Sequence, residues 1–326
     1  MDPDMIAQVR RFNRIVTQRA GALEDRFLAR DRPLGEARLL WEVGTGGCDV
    51  RALRSRLGLD SGYLSRLLRS LQEAGLLTVV RSRRDRRVRT ARLTRAGRAE
   101  RAVLDRASDR LAASFLAPLS ESQRGRLIAA MGEVERLLTA AMVEIAPVDP
   151  ADPVARYCMG QYFAELDGRF EGGFDPGRSI SADDDELRPP AGLFLVASLR
   201  SEPVGCGALK FHPRRPTEIK RMWVAGQARG LGIGRRLLTE LEARAAEGST
   251  SRIVRLETNR SLREAIRLYR SAGYVEVDAF NDEPYAHHWF EKRLASRPRT
   301  AASRPKPFGQ RPRVTVAETQ RRKDAE

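Results

Sequence analysis

The 326-residue sequence predicts two unlike domains in tandem, a mainly helical one carrying a single β-hairpin and an α/β one. Three observations carry this. Apolar residues recur at helical spacing through most of the first 146 positions. Strand-like and helix-like runs then alternate over 155–294. Between the two, Ala146-Pro-Val-Asp-Pro-Ala-Asp-Pro153 places three prolines within seven positions, which prevents a helix and favours an extended spacer. The expected division is a first domain over 1–146, a linker over 147–154, a second domain over 155–294 and a tail over 295–326.

Charge follows the same cuts. Residues 1–146 carry 28 Arg and 18 acidic side chains, residues 147–294 carry 22 basic and 22 acidic, and the tail carries 9 and 3. The basic excess lies outside the second domain, and nucleic acid is the natural partner of the first. A ratio of 54 Arg to 5 Lys suggests biased codon usage, which lowers the weight of any single arginine. No apolar run approaches the ~20 residues that span a bilayer, and charged residues stand where a signal peptide has its apolar core. A cytoplasmic protein with no membrane partner is expected. Cys48, Cys158 and Cys206 are scattered and lack metal-ligand spacing, so free thiols and no metal are expected. The tail holds Pro, Arg, Lys, Ser and Thr with little to bury, and reads as disordered.

In the first domain, helical periodicity runs over 5–28 and again over 99–116. Ser120 and Gln123 form a capping-box pattern ahead of a helix carrying Leu127, Met131, Val134, Leu137, Leu138 and Met142. Residues 50–57 and 61–73 read as two short helices joined by Gly58-Leu-Asp60, the spacing of a helix-turn-helix. In the second of these, Leu64, Leu67, Leu68 and Leu71 share one face. That leaves Ser61, Gly62, Tyr63, Ser65, Arg66 and Arg69 available to a DNA groove, with Gly75 as the C-terminal cap. Residues 78–93 alternate at both ends as a hairpin with its turn near 82–86, a winged element. Nine arginines and one aspartate lie over 81–98, a density suited to phosphate contact, the plain alternative being a solvated face.

These residues resemble the MarR family of winged helix-turn-helix regulators, above all in Asp85-Arg-Arg87 followed by Leu93-Thr-Arg-Ala-Gly97. The resemblance spans about residues 5–145. It implies a homodimer built from the first and last helices and a palindromic site on double-stranded DNA. It also implies a DNA-contacting wing of Arg84, Asp85, Arg86 and Arg87, in which Asp85 braces the wing and Arg87 reaches the DNA.

The second domain opens with a helix over 155–170 and a loop rich in Gly, Pro and Asp over 171–190. Strands follow over 192–199, 204–211 and 217–224, then a helix over 232–247 and a strand over 252–257. A helix over 261–272 has a capping-box pattern from Ser261 and Glu264, and strands close the domain near 274–277 and 286–294. The most informative stretch is Glu218-Ile-Lys-Arg-Met-Trp-Val224, followed by Arg229-Gly-Leu-Gly-Ile-Gly234. It reads as a strand, a glycine-rich turn and a helix start whose unpaired N–H groups and dipole suit a pyrophosphate. Alone the turn is ambiguous, because dinucleotide-binding folds use a similar one, though with G-x-G-x-x-G spacing in a first strand-helix unit.

The order of elements, this turn, and Ala265-Ile-Arg-Leu-Tyr-Arg-Ser-Ala-Gly-Tyr274, which begins 31 residues after Gly234, together resemble the GNAT superfamily of acyl-CoA N-acyltransferases. The match covers about residues 150–294. The fold class so implied is multidomain, a mainly α winged helix-turn-helix domain followed by an α/β (α+β) GNAT domain. The resemblance implies acetyl-CoA as co-substrate and no metal. Main-chain groups of Met222, Trp223 and Val224 would follow the pantetheine arm, and Arg229, Gly230, Leu231, Gly232, Ile233, Gly234 and Arg235 would cradle the pyrophosphate. Tyr269 matches the tyrosine that protonates the departing thiolate, the alternative being a packed aromatic.

A general base is needed because a protonated amine cannot attack a thioester. Glu218 is the first choice and Glu257 the second, since both sit on strands flanking the expected site, where burial could raise a carboxylate pKa. Either could instead be an ordinary ion-paired residue. Leu262 stands where many relatives have Asn, so that role is not carried to Asn259. His287 and His288 either line the acceptor site or are structural. The expected function is a bifunctional transcriptional regulator and acetyl-CoA-dependent N-acetyltransferase acting on a small amine or amino-acid-like acceptor. The alternatives are a second domain that senses acetyl-CoA or an amine without turnover, or a first domain that serves only for dimerisation.

Overall fold

A computed structural model describes residues 2–21, 28, 31–81, 88–180, 182–249 and 251–295. The tip of the wing, with Arg84, Asp85, Arg86 and Arg87, lies outside the described residues, as do the end of the first predicted helix over 22–27 and the tail beyond 295. The first domain runs α1 (Pro3–Arg19), α2 (Leu34–Val43), β1 (Cys48–Asp49), α3 (Val50–Leu57), α4 (Ser61–Glu73), β2 (Leu77–Arg81), β3 (Arg89–Leu93), α5 (Arg95–Leu116) and α6 (Glu121–Ala141). Its core is the leucine face of α4 packed with Leu39, Leu40 and Leu53 from α2 and α3. Burying each such leucine contributes on the order of 2 kcal/mol.

The turn between α3 and α4 follows from two residues. Gly58 caps α3 in the left-handed region at φ 64°, which a side chain would resist. Asp60 then caps α4 by accepting from the Tyr63 N–H at 2.8 Å. Strands β2 and β3 form the base of the wing, paired from Leu77↔Leu93 to Arg81↔Arg89. The capping box of Ser120 and Gln123 is formed at the start of α6.

The second domain continues with β4 (Val143–Pro147), α7 (Pro153–Arg169), β5 (Gly192–Leu199), β6 (Glu202–Lys210), β7 (Thr217–Val224), α8 (Ile233–Gly248), β8 (Ile253–Thr258), α9 (Arg263–Ser271), β9 (Val275–Val277) and β10 (His288–Arg293). Among the described residues its strands form one sheet in the order β4-β5-β6-β7-β8-β10-β9. Among the described residues only β7 and β8 pair in parallel. Helices α7 and α8 cover opposite faces. On β6, Cys206 turns toward Cys158 of α7, while a Cβ on neighbouring Gly207 would meet Leu241 of α8 at 2.8 Å. The buried face of α8, Leu237, Leu238, Leu241 and Ala245, recurs at helical spacing.

Two expectations need correction. The boundary at 146 and the free spacer over 147–154 are displaced, because Val143–Pro147 pairs antiparallel with β5 from Val143↔Leu199 to Pro147↔Leu195. The remainder is docked as well. The Val148 N–H donates to the Phe194 carbonyl at 3.0 Å, and Asp149 accepts from Arg188 Nε at 3.0 Å and Nη2 at 2.8 Å. The Arg188 contact pulls the Asp149 carboxyl down to about 2. The second correction is at α9. Ser261 does not cap it: its hydroxyl is buried without a partner, and its N–H instead donates to Asn259 Oδ1 at 2.9 Å.

Candidate functional site

The parallel ladder between β7 and β8 is short, with Thr217↔Val254 and Glu218↔Arg255 in register. Beyond it the strands part, and the resulting opening is lined from both sides. Its larger half, about 440 Å³, is bounded by Met222–Val224 of β7, the turn at Arg229, Gly230 and Gly232, the start of α8, and Leu262, Ala265, Leu268 and Tyr269 around α9. Its smaller half, about 90 Å³, takes Ile219–Met222, Glu257, Thr258 and Asn259, and is closed by Phe170, Phe174 and Tyr285. The two halves share Tyr162, Leu166, Met222, Leu262, Ala265 and Tyr269. A two-substrate reaction needs this arrangement, in which two ligands enter separately and meet at one point.

The turn is built as its sequence requires. Gly232 stands at φ 74° as the N-cap of α8, with no side chain to occupy the helix start. Of the ten residues expected to hold the cofactor, Met222, Trp223, Val224, Arg229, Gly230, Gly232, Ile233 and Gly234 line the larger half. Leu231 and Arg235 do not. The Arg235 guanidinium donates to Ser271 beyond the cleft. Arg229 borders the cleft but is held by Glu165 and by the Val224 carbonyl at 3.2 Å. The other Glu165 oxygen accepts from the Trp223 indole at 3.0 Å.

Tyr269 is 5% exposed and sits where the halves meet. Burial, reinforced by Tyr162 and Glu257, raises its pKa well above that of an ordinary phenol, so it stays protonated at neutral pH. Tyr162 is pushed up to about 12, again chiefly by burial.

The two glutamates have different surroundings. Glu218 accepts from Arg255 Nη2 at 2.8 Å and lies 3.3 Å from Lys220 Nζ and 3.1 Å from His212 Nε2. Burial works to raise its pKa, but Lys220, Arg255 and His212 together outweigh burial and the net direction is down. Glu218 does not line either half of the opening. The expectation of Glu218 as first-choice base is therefore corrected: its carboxylate is a buried counter-ion with its lone pairs engaged. Glu257 lines the smaller half, with Oε1 on Lys220 and Oε2 buried without a hydrogen-bond partner. A carboxylate oxygen so placed can take a proton from a bound ligand.

Sequence reasoning did not single out Tyr162, Lys220, Arg221, Glu283 or Tyr285. Lys220 carried a signal, being one of five lysines in a chain that otherwise uses arginine. Glu283 sits in a stretch with no motif. Its Oε2 accepts from Ser179 Oγ at 2.9 Å and the Ile180 N–H at 2.7 Å, holding these two residues at the wall of the opening. His287 and His288 line neither half, and His288 bonds Glu276 at 2.6 Å.

In the first domain, Ser61, Gly62, Tyr63, Ser65, Arg66 and Arg69 of α4 are all exposed, opposite its buried leucines. The Arg66 guanidinium lies 5.6 Å from the centroid of the Tyr63 ring. No described helix is long and apolar enough to cross a membrane.

Comparison with known proteins agrees with both halves. The family model described as Acetyltransferase (GNAT) family matches residues 161–274, and that described as MarR family matches residues 31–88. The IAA acetyltransferase of Azospirillum brasilense is 38% identical over 127 residues, covering 38% of this chain and 80% of that protein. A GNAT family acetyltransferase from Elizabethkingia anophelis, solved with acetyl-CoA bound, is 18% identical, with a TM-score of 0.35 over 47% of this chain and 99% of its own. Streptococcus pneumoniae FabT, solved in complex with DNA, is 21% identical, with a TM-score of 0.34 over 42% of this chain and 97% of its own.

Proposed function

This chain belongs to the acetyltransferase (GNAT) family, with a MarR-family domain ahead of the transferase fold, and from that premise we propose that it is a DNA-binding regulator that also transfers the acetyl group of acetyl-CoA to an amine. The observation that carries the reading is the meeting of the two half-openings at Tyr269, with Glu257 facing the smaller one. Acetyl-CoA lies in the larger half, its pantetheine arm along Met222–Val224 and its pyrophosphate at the start of α8. The acceptor ammonium loses one proton to Glu257 and thence to solvent, and its freed lone pair forms the N–C bond at the thioester carbonyl carbon, giving a tetrahedral intermediate whose collapse breaks the C–S bond. The second nitrogen proton leaves on collapse of the intermediate and, by way of Tyr269, ends on the CoA sulfur. The test is release of CoA from acetyl-CoA across a panel of amines. Tyr269→Phe is expected to lower kcat by about 100-fold or more, and an undiminished rate would sink the assignment.

In the first domain, α4 enters the major groove with Arg66 and Arg69, and a homodimer through α1 and α6 presents two copies to a palindromic site. Affinity should fall steeply with salt, with a log-log slope of ~0.9 per neutralised phosphate. A second reading, that acetyl-CoA also acts as a signal, is favoured by Arg236. This residue of α8 donates to the carbonyl of Ala140 at the end of α6 and to that of Val143 at the start of β4, so that the Ala140 contact joins α8 to the first domain. Operator affinity unchanged by acetyl-CoA would remove that second reading.

A further inference from the structure

Two residues that line the smaller half of the opening each hold a buried atom without a hydrogen-bond partner, Arg221 at Nε and Glu257 at Oε2, and the two are of opposite character. The other charged groups there are engaged. Lys220 lies between Glu218 and Glu257, and Glu283 accepts from Ser179, Ile180 and Tyr285. Arg221 makes no ion pair among the described residues. Its guanidinium rests on rings instead, 4.8 Å from the centroid of Phe163 and 5.9 Å from that of Tyr162.

The backbone gives a second, independent observation. Ala208 pairs with Lys220 and Cys206 with Trp223, so Arg221 and Met222 together oppose Gly207 in a bulge. Within it Arg221 stands at φ 58°, a conformation that a long side chain rarely adopts and that is retained where it aims a functional group. One side of the remaining wall is aromatic, with Phe170, Phe174 and Tyr285 packed on one another at centroid distances of 4.8–5.8 Å, and Ser179, Thr258 and Asn259 add to the lining.

We propose that the acceptor is a compact α-amino acid with an apolar side chain, its carboxylate held by Arg221, its amine presented to Glu257 and its side chain laid on the aromatic wall. The inference rests on the acetyl-transfer reading and names the substrate class of the same pocket. A zwitterion satisfies both unpartnered atoms at once, whereas a simple amine leaves the guanidinium without an anion.

The experiment separates carboxylate recognition from turnover by using acceptors that lack the amine. Hydrocinnamate and isocaproate, and their primary amides, are titrated calorimetrically into the full chain saturated with CoA. Each acid is expected to bind about tenfold or more tightly than its amide. Arg221→Asn, a residue that tolerates positive φ, should erase that difference, and Arg221→Lys should restore part of it. CoA binding measured in parallel reports folding; if Arg221→Asn does not bind CoA, weakened discrimination in Arg221→Lys carries the test. Equal affinity for acid and amide, or discrimination that survives both substitutions, overturns the proposal. Turnover of phenylalanine and leucine against their amides then tells the two readings apart. Acid-selective binding without CoA release from any amine sinks the transfer reading and keeps the carboxylate site. Amides acetylated as well as the free amino acids sink the site and keep the transfer.

Discussion

Glu218 and Glu257 both touch Lys220 and are both nearly buried, yet they have different parts to play. Glu218 has its charge matched on three sides, so Glu218→Gln leaves Arg255 short of a counter-ion and Lys220 with Glu257 alone. Loss of a buried partner of this kind costs about 3–5 kcal/mol, seen as a lowered Tm. The sign of its pH dependence follows from the lowered carboxyl pKa. Its contribution is complete above the ordinary value of 4.5 and is lost as pH falls through the lower folded value, so the native chain loses stability on the acid side over that window. Glu218→Gln should lack that part of the acid limb. Glu257→Gln is expected to act on the chemistry instead, lowering kcat by about 100-fold or more at near-constant acetyl-CoA KM. Equal kcat losses in both variants, after correction for the folded fraction, would undo this division of labour. From the sequence both are strand glutamates with Glu218 placed first, and that order misreads them because what distinguishes them is the Glu218↔Arg255 register between strands separated by a whole helix.

Elements with a local signal were legible. The strands over 192–199 and 217–224 coincide with β5 and β7, and the Gly58 turn and the Ser120 cap are set by residues within a few positions of one another. Where the determinant was distant, the reading failed. Val143–Pro147 is too short to show alternation and ends in a proline, and what makes it a strand is β5, some fifty residues on. The glycine-rich turn ahead of α8 belongs to the legible class, and its proposed role in holding acetyl-CoA can be tested at that scale. Gly232→Ala puts a Cβ on a left-handed residue at the head of α8, a strain on the order of 1 kcal/mol. The expected result is an acetyl-CoA KM raised about fivefold with kcat little changed, and an unaltered KM would mean the pyrophosphate does not rest there.

At the scale of the molecule, the first and last helices of the first domain, α1 and α6, each carry exposed apolar side chains among the described residues. Neither α1 nor α6 buries a residue within the chain, and Met5, Ile15, Leu137 and Leu138 are each more than 60% exposed. The proposed homodimer would bury these faces in a self-complementary interface and space two α4 helices for one DNA site. Leu138→Glu, which puts a carboxylate on this apolar face, is expected to convert a dimer into a monomer in light scattering and to weaken operator binding by at least tenfold, while leaving the acetyl-CoA KM alone. A monomeric native chain would remove the premise. The passage from α6 directly into β4 bears on how such a molecule can be divided. A fragment opened at the proline-rich stretch would leave β4 behind and bare the flank of β5, with Leu195 and Val196 beside unpaired N–H and C=O groups, an edge on which chains stack and precipitate. The polypeptide is therefore severable ahead of Val143, and the prolines that look like a hinge are already inside the second domain.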